Sequence, residues 1–355
     1  MNTLRYISAV VLGSVSMVFG QVTATTPAVG YEKLEARGLS DTYRGVPLVR
    51  RPVLTGQVTG VTSNTITVSE DAGLDAVLAT ATGESYYVQF VTGNLVGLCL
   101  RIVGAEGTAL VLDTEGEDLT AHTLGAIETG EEGDVVRVRP AWRVSDLFGD
   151  GPLTLKLEPV PHLPDEPYIA GDAVLLPSAL FPERFLYYVS DDGWRSSAYP
   201  AEDGGKISFL PGAVFGVRRH SPTGAEILVI GDVPVEPVRL QIPASSADAE
   251  IEVSISLAHP LSRSLAAAGL FSTVPGESIL APVSSALDGG DFLFEWDQDR
   301  VGLALPPKSR FHVVGLNWYD AAEPADDHVL QPGRGYGLRL RGEHVCRYWL
   351  QPALE

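Results

Sequence analysis

Three carboxylates stand at alternate positions next to an apolar segment of the chain: Glu295, Asp297 and Asp299. On a β-strand, alternate residues share one face and lie about 6.5–7 Å apart. That separation is close to the one used by glycosidases that invert configuration. The intervening aromatic residues would then face the core: Phe292, Phe294 and Trp296. Catalysis needs a cleft and one raised pKa, and an outward row of acids offers neither. We therefore predict a solvated face, with Ca²⁺ binding and catalysis as weaker alternatives.

A second acidic group, Asp146 and Asp150 followed by Gly151, invites comparison with a calcium loop. The alternating acids and closing Glu of the EF-hand are missing from it. Ordinary turn chemistry is the better interpretation, because Asp and Gly favour turns.

Aromatic residues are the strongest candidates for ligand binding. Exported β-proteins use flat rings to stack on sugars, and the rings with suitable spacing are Trp194, Trp318, Tyr187, Tyr188, Tyr199 and Tyr319. The alternative is that these rings pack the core and cover its hairpins, with each indole N–H bonded to backbone or water. We favour packing, and solvent exposure decides between the two.

The remaining chemistry-bearing residues give no catalytic signature. The sequence has no nucleophile elbow, zinc-protease helix, phosphate loop or dinucleotide fingerprint, and its seven histidines are scattered. Cys99 and Cys346 lie in separate regions, so they cannot form a cysteine-based zinc site. They could pair in an oxidising compartment, or each could be a small buried apolar residue. We predict no catalytic residue, no metal and no cofactor.

The sequence elements that position these residues occur in two copies. An aromatic strand, a Trp and a closing Pro-Gly-x-x-aromatic-Gly-aliphatic-Arg occur over residues 185–218 and again over 311–339. In both copies the residues after Pro-Gly alternate. This places Phe215 and Val217 on one face, like Tyr336 and Leu338, with Arg218 and Arg339 on the other. A repeated frame of turn and packing residues indicates architecture rather than chemistry.

The turn residues of this frame predict turn types. Asp192-Gly193 between two strand-like runs predicts a two-residue hairpin with positive φ at both positions. Pro211-Gly212 and Pro332-Gly333 predict type II turns, in which Pro fixes φ and Gly accepts the positive φ that follows. In the second copy the Asp-Gly step is replaced by Leu316-Asn317, so its hairpin type stays open.

The spacing of short strands and turns predicts an all-β protein of two domains. Residues 45–141 hold about six strands around one core, as a small N-terminal β-barrel or sandwich. Residues 142–355 form a larger β domain with related units at 142–219 and 262–339. The simplest packing for these is a paired β-sandwich with one copy per sheet. Residues 21–44 are a lead-in that contains a first strand at Val29-Gly-Tyr31.

The first twenty residues have the composition of a secretory signal peptide. Arg5 precedes an apolar run over residues 6–19, and small residues stand before Gln21. That run is too short to span a bilayer, which needs about 20 residues. We expect export to the periplasm, outer surface or extracellular space, without an integral membrane segment. The net charge of −20 argues against nucleic acid and anionic membranes as partners, because both need clustered cations.

The ordered motifs of the chain resemble a family of exported, β-rich proteins of uncharacterised function from the verrucomicrobial bacterial lineage. The matching stretches are Val29-Gly-Tyr31, Gly45-Val-Pro47, Tyr86-Tyr-Val-Gln89 with Gly93, Gly133-Asp-Val135 to Trp142, Leu147-Phe148, and Asp192-Gly-Trp-Arg195 to Pro211-Gly212 and Arg218-Arg219. The resemblance implies export and a β fold, and it brings no established activity.

These observations leave three functional hypotheses. The first is a non-enzymatic structural or adhesive protein of the cell surface, with an extracellular polymer as its partner. The second is a carbohydrate- or ligand-binding module that uses exposed rings: Trp194, Trp318, Tyr187, Tyr199 and Tyr319. The third and weakest is an exported hydrolase. The sequence does not fix an oligomeric state.

Overall fold

The computed structural model describes residues 28–69, 85–122, 124, 133–151, 153–160, 171–177, 184–190, 192–199, 201–243, 250–274, 277–285, 290–342 and 347–354. Strands dominate this part of the chain, with one short helix and two 3₁₀ turns. The predicted all-β class is confirmed. The predicted signal segment at 1–20 and Cys346 lie outside the described residues.

A closed six-stranded barrel lies near the N-terminus, in the order β3-β4-β7-β6-β5-β8. Its strands are β3 (Leu54–Val61), β4 (Thr65–Val68), β5 (Tyr86–Phe90), β6 (Cys99–Glu106), β7 (Ala109–Asp113) and β8 (Val135–Pro140). Alternate residues such as Val58, Ile66 and Val138 fill its interior and are fully buried. The predicted six-stranded unit with one core is confirmed as a barrel, and closure leaves it without an open edge.

The first repeat surrounds this barrel in sequence. Its elements are β1 (Val29–Ala36), β2 (Asp41–Gly45), β9 (Trp142–Arg143), helix α1 (Val144–Phe148), β10 (Ala173–Leu176), β11 (Arg184–Val189), β12 (Gly193–Ser196), β13 (Ser208–Phe209), β14 (Val214–Arg218) and β15 (Ala225–Asp232). They form a sheet β12-β11-β10-β14-β2, a two-stranded ladder β13-β9 and a two-stranded ribbon β1-β15. We call β1-β15 the first ribbon.

The second repeat follows without interruption. Its strands are β16 (Val238–Ile242), β17 (Glu250–Ser256), β18 (Arg263–Ser264), β19 (Phe292–Trp296), β20 (Pro307–Val314), β21 (Asn317–Asp320), β22 (Glu323–Pro324), β23 (Val329–Leu330), β24 (Gly335–Arg341) and β25 (Arg347–Gln351). They form a sheet β22-β21-β20-β19-β24-β17, a ladder β18-β23 and the second ribbon, β16-β25.

The duplication is therefore larger than the sequence frame. Apart from the edge strand β22, each repeat has the same strand order in its sheet, the same small ladder and the same ribbon. Two boundaries predicted from sequence need correction. Residues 21–44 are not merely a lead-in, because β1 and β2 are integral strands of the first repeat. The barrel is not a separate N-terminal domain in sequence, because it is inserted between β2 and β9 of that repeat.

Each repeat encloses its own core between sheet and ribbon, in a sandwich-like arrangement. In the first, Leu34 and Ile227 of the ribbon pack with Phe215 and Val217 of the sheet. In the second, Trp349 of the ribbon packs in one cluster with Tyr336, Leu338 and Leu293 of the sheet. The predicted paired sandwich, with one copy in each of two facing sheets, is wrong, because each repeat closes its own separate core with its own ribbon. The inward residues of β14 and β24 are those that alternation predicts. Arg218 and Arg339 point away and pair with Asp41 and Glu252.

The turns of the frame follow their residue chemistry. Ala213 N donates to Leu210 O at 3.0 Å with Gly212 at φ 80°, and Arg334 N donates to Gln331 O at 3.4 Å with Gly333 at φ 70°. Both type II turns are confirmed.

The hairpin between β11 and β12 differs from the prediction. Val189 pairs with Gly193, so three residues rather than two lie between the strands. Only Gly193 of the Asp192-Gly193 step has positive φ, as in a three-residue loop that closes on a glycine. The matching hairpin of the second repeat pairs Val314 with Asn317 across a two-residue loop, with Gly315 at φ 65°.

Candidate functional site

The frame tryptophan of the first repeat is a core residue. Trp194 is 3% exposed, and its Nε1 donates to Gly149 O at 2.7 Å. Its ring contacts Tyr188 edge-on and lies 6.0 Å from the ring of Phe148. The packing role favoured from sequence is confirmed for this residue.

The other rings do not form a sugar platform either. Trp318 is 2% exposed and Tyr187 7%, while Tyr319 is half-buried in the other repeat. Tyr199 is the one ring of the five that is largely exposed, at 63%. Stacking requires open ring faces. The ligand-binding assignment of Trp194, Trp318 and Tyr187 is therefore corrected, since burial against the cores leaves no ring face for a ligand.

The row of acids has the opposite orientation to the one predicted. Leu293 and Glu295 share the face of β19 that is turned toward the core of the second repeat, and Glu295 is 2% exposed. Phe292, on the other face, lies under the guanidinium groups of Arg310 and Arg339. The prediction of Glu295 as an outward, solvated acid is wrong, because Leu293 rather than its aromatic neighbours occupies the core.

The buried carboxylate of Glu295 is paired with a nearby positive charge. Arg334 Nη1 lies 2.5 Å from Glu295 Oε1, and His328 Nε2 lies 3.7 Å from Oε2. Burial lowers the pKa of His328, although the nearby Glu295 opposes this. The paired geometry suits an internal ion pair, in which each charge offsets the desolvation of the other.

The remaining predicted acids accept hydrogen bonds from residues close to them in the sequence. Asp297 accepts from the backbone N–H groups of Asp299 and Arg300, and the bonded side chain of Arg300 lowers its pKa. Asp146 accepts from Arg143 N at 3.0 Å at the start of helix α1, and Asp150 accepts from Thr154 Oγ1 at 3.4 Å. The turn interpretation fits Asp150. It is wrong for Asp146, which lies inside helix α1 and caps its first turn.

Sequence reasoning missed a pair of buried aspartates. Asp172 accepts from the backbone N–H groups of His220 and Glu158, at 2.8 and 2.7 Å. Asp291 accepts from those of Arg341 and Ala281, both at 2.8 Å. His220 and Arg341 each stand two residues after the frame Arg, so the two aspartates are equivalent. A Gly-Asp step at 171–172 and at 290–291 was the available signal.

A recess lies where the barrel meets both repeats, and we call it the junction cleft. Its volume is about 180 Å³. The barrel contributes β6 and the end of β7, the first repeat contributes the Pro211-Gly212 turn, and the second repeat contributes β16 and β17. The lining residues are Cys99, Leu100, Arg101, Asp113, Glu115, Leu210, Pro211, Gly212, Ala213, Arg239, Leu240, Gln241, Val253, Ser254 and Ile255.

Gly212 allows the first repeat to pack closely against the second ribbon at the junction cleft. A Cβ on Gly212 would lie 2.4 Å from Leu240 Cδ2, and φ there is 80°. Only glycine combines this conformation with so close an approach. The type II turn predicted from sequence is therefore also what brings the first repeat against the second ribbon.

Two arginines give the junction cleft its polar character. Arg239 Nε is buried without a hydrogen-bond partner, and burial lowers the pKa of its guanidinium. Arg101 donates to Ser208 Oγ and, at 3.3 Å, to Ser208 O. Burial lowers the pKa of Arg101, and Asp113 and Glu115 oppose this. The cleft thus has one guanidinium balanced by acids and one with an unsatisfied donor.

Cys99 lines the junction cleft, and its thiol is unreactive. It is a free thiol, and burial raises its pKa to about 12. A thiol with such a pKa holds almost no thiolate near neutral pH. Within the described ranges, no three His, Cys, Asp or Glu residues are placed to hold a metal ion together.

Comparison with known protein families, curated proteins and solved structures finds no match to this chain. Among the described helices, none has the length and apolar character to cross a bilayer.

Proposed function

We propose that this protein is an exported, non-enzymatic structural component of the cell surface or extracellular space, in contact with an extracellular polymer. One observation carries the proposal: among the described residues, the main candidates for chemistry are used inside the fold. Trp194 and Trp318 are in the cores, Glu295 is paired with Arg334, and Asp172 and Asp291 bind backbone. The signal peptide predicted from sequence supports export, and the resemblance to verrucomicrobial exported proteins stays a prediction.

Two measurements test this proposal. In the source cells, an epitope-tagged copy is expected in the envelope or medium and accessible to added protease on intact cells. Purified protein is expected to give no turnover on polysaccharide or peptide libraries. A protein confined to the cytoplasm, or turnover that is lost in Glu295→Gln while the fold is retained, would overturn the proposal and favour the hydrolase.

The junction cleft supports ligand binding as a second candidate function. Arg239 lines this recess, and its buried Nε has no hydrogen-bond partner. A guanidinium in a partly apolar recess suits the carboxylate of a small molecule. Calorimetric titration with a panel of monocarboxylates and free amino acids tests it, with Arg239→Gln as the variant. Tyr199→Ala is the control, because Tyr199 is an exposed ring that is not among the lining residues. Binding lost only in Arg239→Gln supports the candidate, and no binding by the native protein rejects it.

A further inference from the structure

The outer face of the first ribbon carries four exposed apolar side chains. Tyr31 is 78% exposed, Leu228 and Ile230 are each 60% exposed, and Val29 is 59% exposed. Tyr31 and Ile230 are direct cross-strand partners, with Val29 and Leu228 two residues before them on the same strands. Neighbours of this kind are in contact across an antiparallel pair. A contiguous apolar stripe rimmed by charge marks an interaction surface on a soluble protein.

The second ribbon shows how the equivalent face is used elsewhere in the same chain. Its outward residue Arg239 donates its backbone N–H to Gly97 O of the barrel at 2.8 Å, and Leu98 forms a parallel bridge with it. Tyr348, also outward, donates its hydroxyl to Glu117 at 2.5 Å. The barrel therefore contacts the edge of the second ribbon through Arg239 N and its outer face through Tyr348. Among the described residues, the corresponding face of the first ribbon is open.

Charges at the two ends of the first ribbon are of opposite sign. Glu35 and Glu226 are cross-strand partners at one end, and both are well exposed around Lys33. At the other end Arg51 is 66% exposed beside Asp232, whose carboxylate is buried. The apolar stripe lies between these ends, which are separated by about 20 Å at 3.3 Å per strand residue.

We propose that the outer face of the first ribbon is the contact between two copies of this chain, packed face to face around a two-fold axis. A two-fold axis brings the same patch of both copies together, so the patch must complement itself. This one does: the Tyr31–Ile230 pair lies at its middle, and reversal of one copy sets Arg51 against Glu35 and Glu226 of the other.

The charge of the whole chain favours this occupant over a membrane. A net charge of −20 repels anionic lipid, and Lys33 is already paired with two acids. The same charge repels a second copy at long range. Association therefore requires a surface that is apolar and locally balanced, as this stripe is.

Sedimentation equilibrium of the chain from residue 21 tests the proposal. We expect a monomer–dimer equilibrium for the native protein. The double variant Tyr31→Ser/Ile230→Ser should raise the dimer Kd by about 100-fold, since central apolar side chains dominate interface energies. Leu316→Ser is the matched control, because Leu316 is 67% exposed in the hairpin between β20 and β21; it should leave the Kd unchanged.

A charge exchange tests the two-fold arrangement separately. Arg51→Glu alone, or Glu35→Lys/Glu226→Lys alone, should weaken self-association. An equimolar mixture of these two proteins should form heterodimers tighter than either homodimer, because both charge contacts of the mixed dimer join opposite charges, whereas both contacts of each homodimer join like charges. A native protein that stays monomeric at high concentration overturns the proposal. So does a dimer that Tyr31→Ser/Ile230→Ser leaves intact, or binding of the stripe to neutral lipid vesicles with no dimer formed.

Discussion

At the residue scale, His259 connects stability to pH. Its ring has no exposed surface; Nε2 lies 2.8 Å from Glu236 O, and Nδ1 is buried without a partner. Burial lowers the pKa of this imidazole, and the nearby Arg263 lowers it further. The pKa values of His312 and His328 are lowered as well, again chiefly by burial.

The sign of the pH effect follows from these directions. An unfolded histidine has a pKa near 6.5, so below about that pH the unfolded chain binds more protons than the folded chain. The free energy of unfolding should therefore fall as the pH drops below about 6.5. We expect His259→Gln to reduce the slope of this fall between pH 7 and pH 5, measured by urea unfolding. A variant slope equal to the native slope would show that His259 does not contribute.

Residue chemistry was predictable where it depended on sequence neighbours. The role of Asp150 in a turn and the packing role of Trp194 followed from local patterns. The orientation of Glu295 did not, because alternation defines two faces of a strand without saying which one meets the core. From the sequence, three aromatic residues were expected in the core in place of Leu293. In the structure, arginines lie over the ring of Phe292 and Tyr43 stacks on Trp296.

At the scale of elements, the twin aspartates should differ in energetic weight. Asp172 also holds Arg219, whose side chain is 4% exposed, through Oδ2 at 2.5 Å. Removal of one partner of a buried ion pair costs about 3–5 kcal/mol. In the second repeat, the position equivalent to Arg219 is Leu340, and loss of a hydrogen-bond acceptor costs about 1–3 kcal/mol. We expect Asp172→Asn to lower the free energy of unfolding more than Asp291→Asn, as measured by chemical denaturation. Equal losses would contradict a distinct contribution from Arg219.

The frame glycine of β24 makes a second element-scale prediction. A Cβ on Gly337 would lie 2.0 Å from Phe294 Cζ, whose residue is its cross-strand partner. Gly337→Ala should therefore destabilise by about 1–3 kcal/mol, the usual cost of overpacking, and thermal unfolding measures it. The twin substitution Gly216→Ala should cost less, since its nearest contacts are Leu175 atoms at 3.0 Å. The reverse order would show that the Phe294 ring moves aside freely.

Elements were predicted best where turns and alternation coincide. Both Pro-Gly turns and the alternation of β14 and β24 were evident from the sequence. The extent of the repeat was not, because β1 pairs with β15 across nearly two hundred residues. Pairing between such distant segments has no local sequence signal, and the inserted barrel hides the early strands from a repeat search.

At the scale of the molecule, the two repeats are joined by β2 and its surroundings. Tyr43 stacks on Trp296 of the second repeat with ring centroids 4.1 Å apart, and its carbonyl accepts from Gln298 at 3.1 Å. Gly45 N donates to Gly333 O at 3.3 Å. The barrel contacts both repeats. The two repeats and the barrel all contribute residues to the junction cleft. No single segment of the sequence contains all of these residues, so the cleft has no local sequence signal.

The barrel should fold without the repeats. Its entry and exit strands are neighbours, since Leu54 pairs with Val138 and Val53 N donates to Val138 O at 2.9 Å. Its buried core comes from its own residues, with Tyr348 of the second ribbon packed against the outside. An excised segment of residues 52–141 is expected to give a cooperative urea transition and dispersed amide NMR signals.

The excised barrel should also be less stable than the barrel within the whole chain, because excision removes the contacts of Glu117 with Tyr348 and of Arg137 with Glu236. Tyr348→Phe in the full chain isolates one of these contacts and should reproduce part of the loss. An excised segment without dispersed signals would mean that the repeats hold the barrel closed. The insertion would then be an integral part of the first repeat rather than a module that the repeat carries.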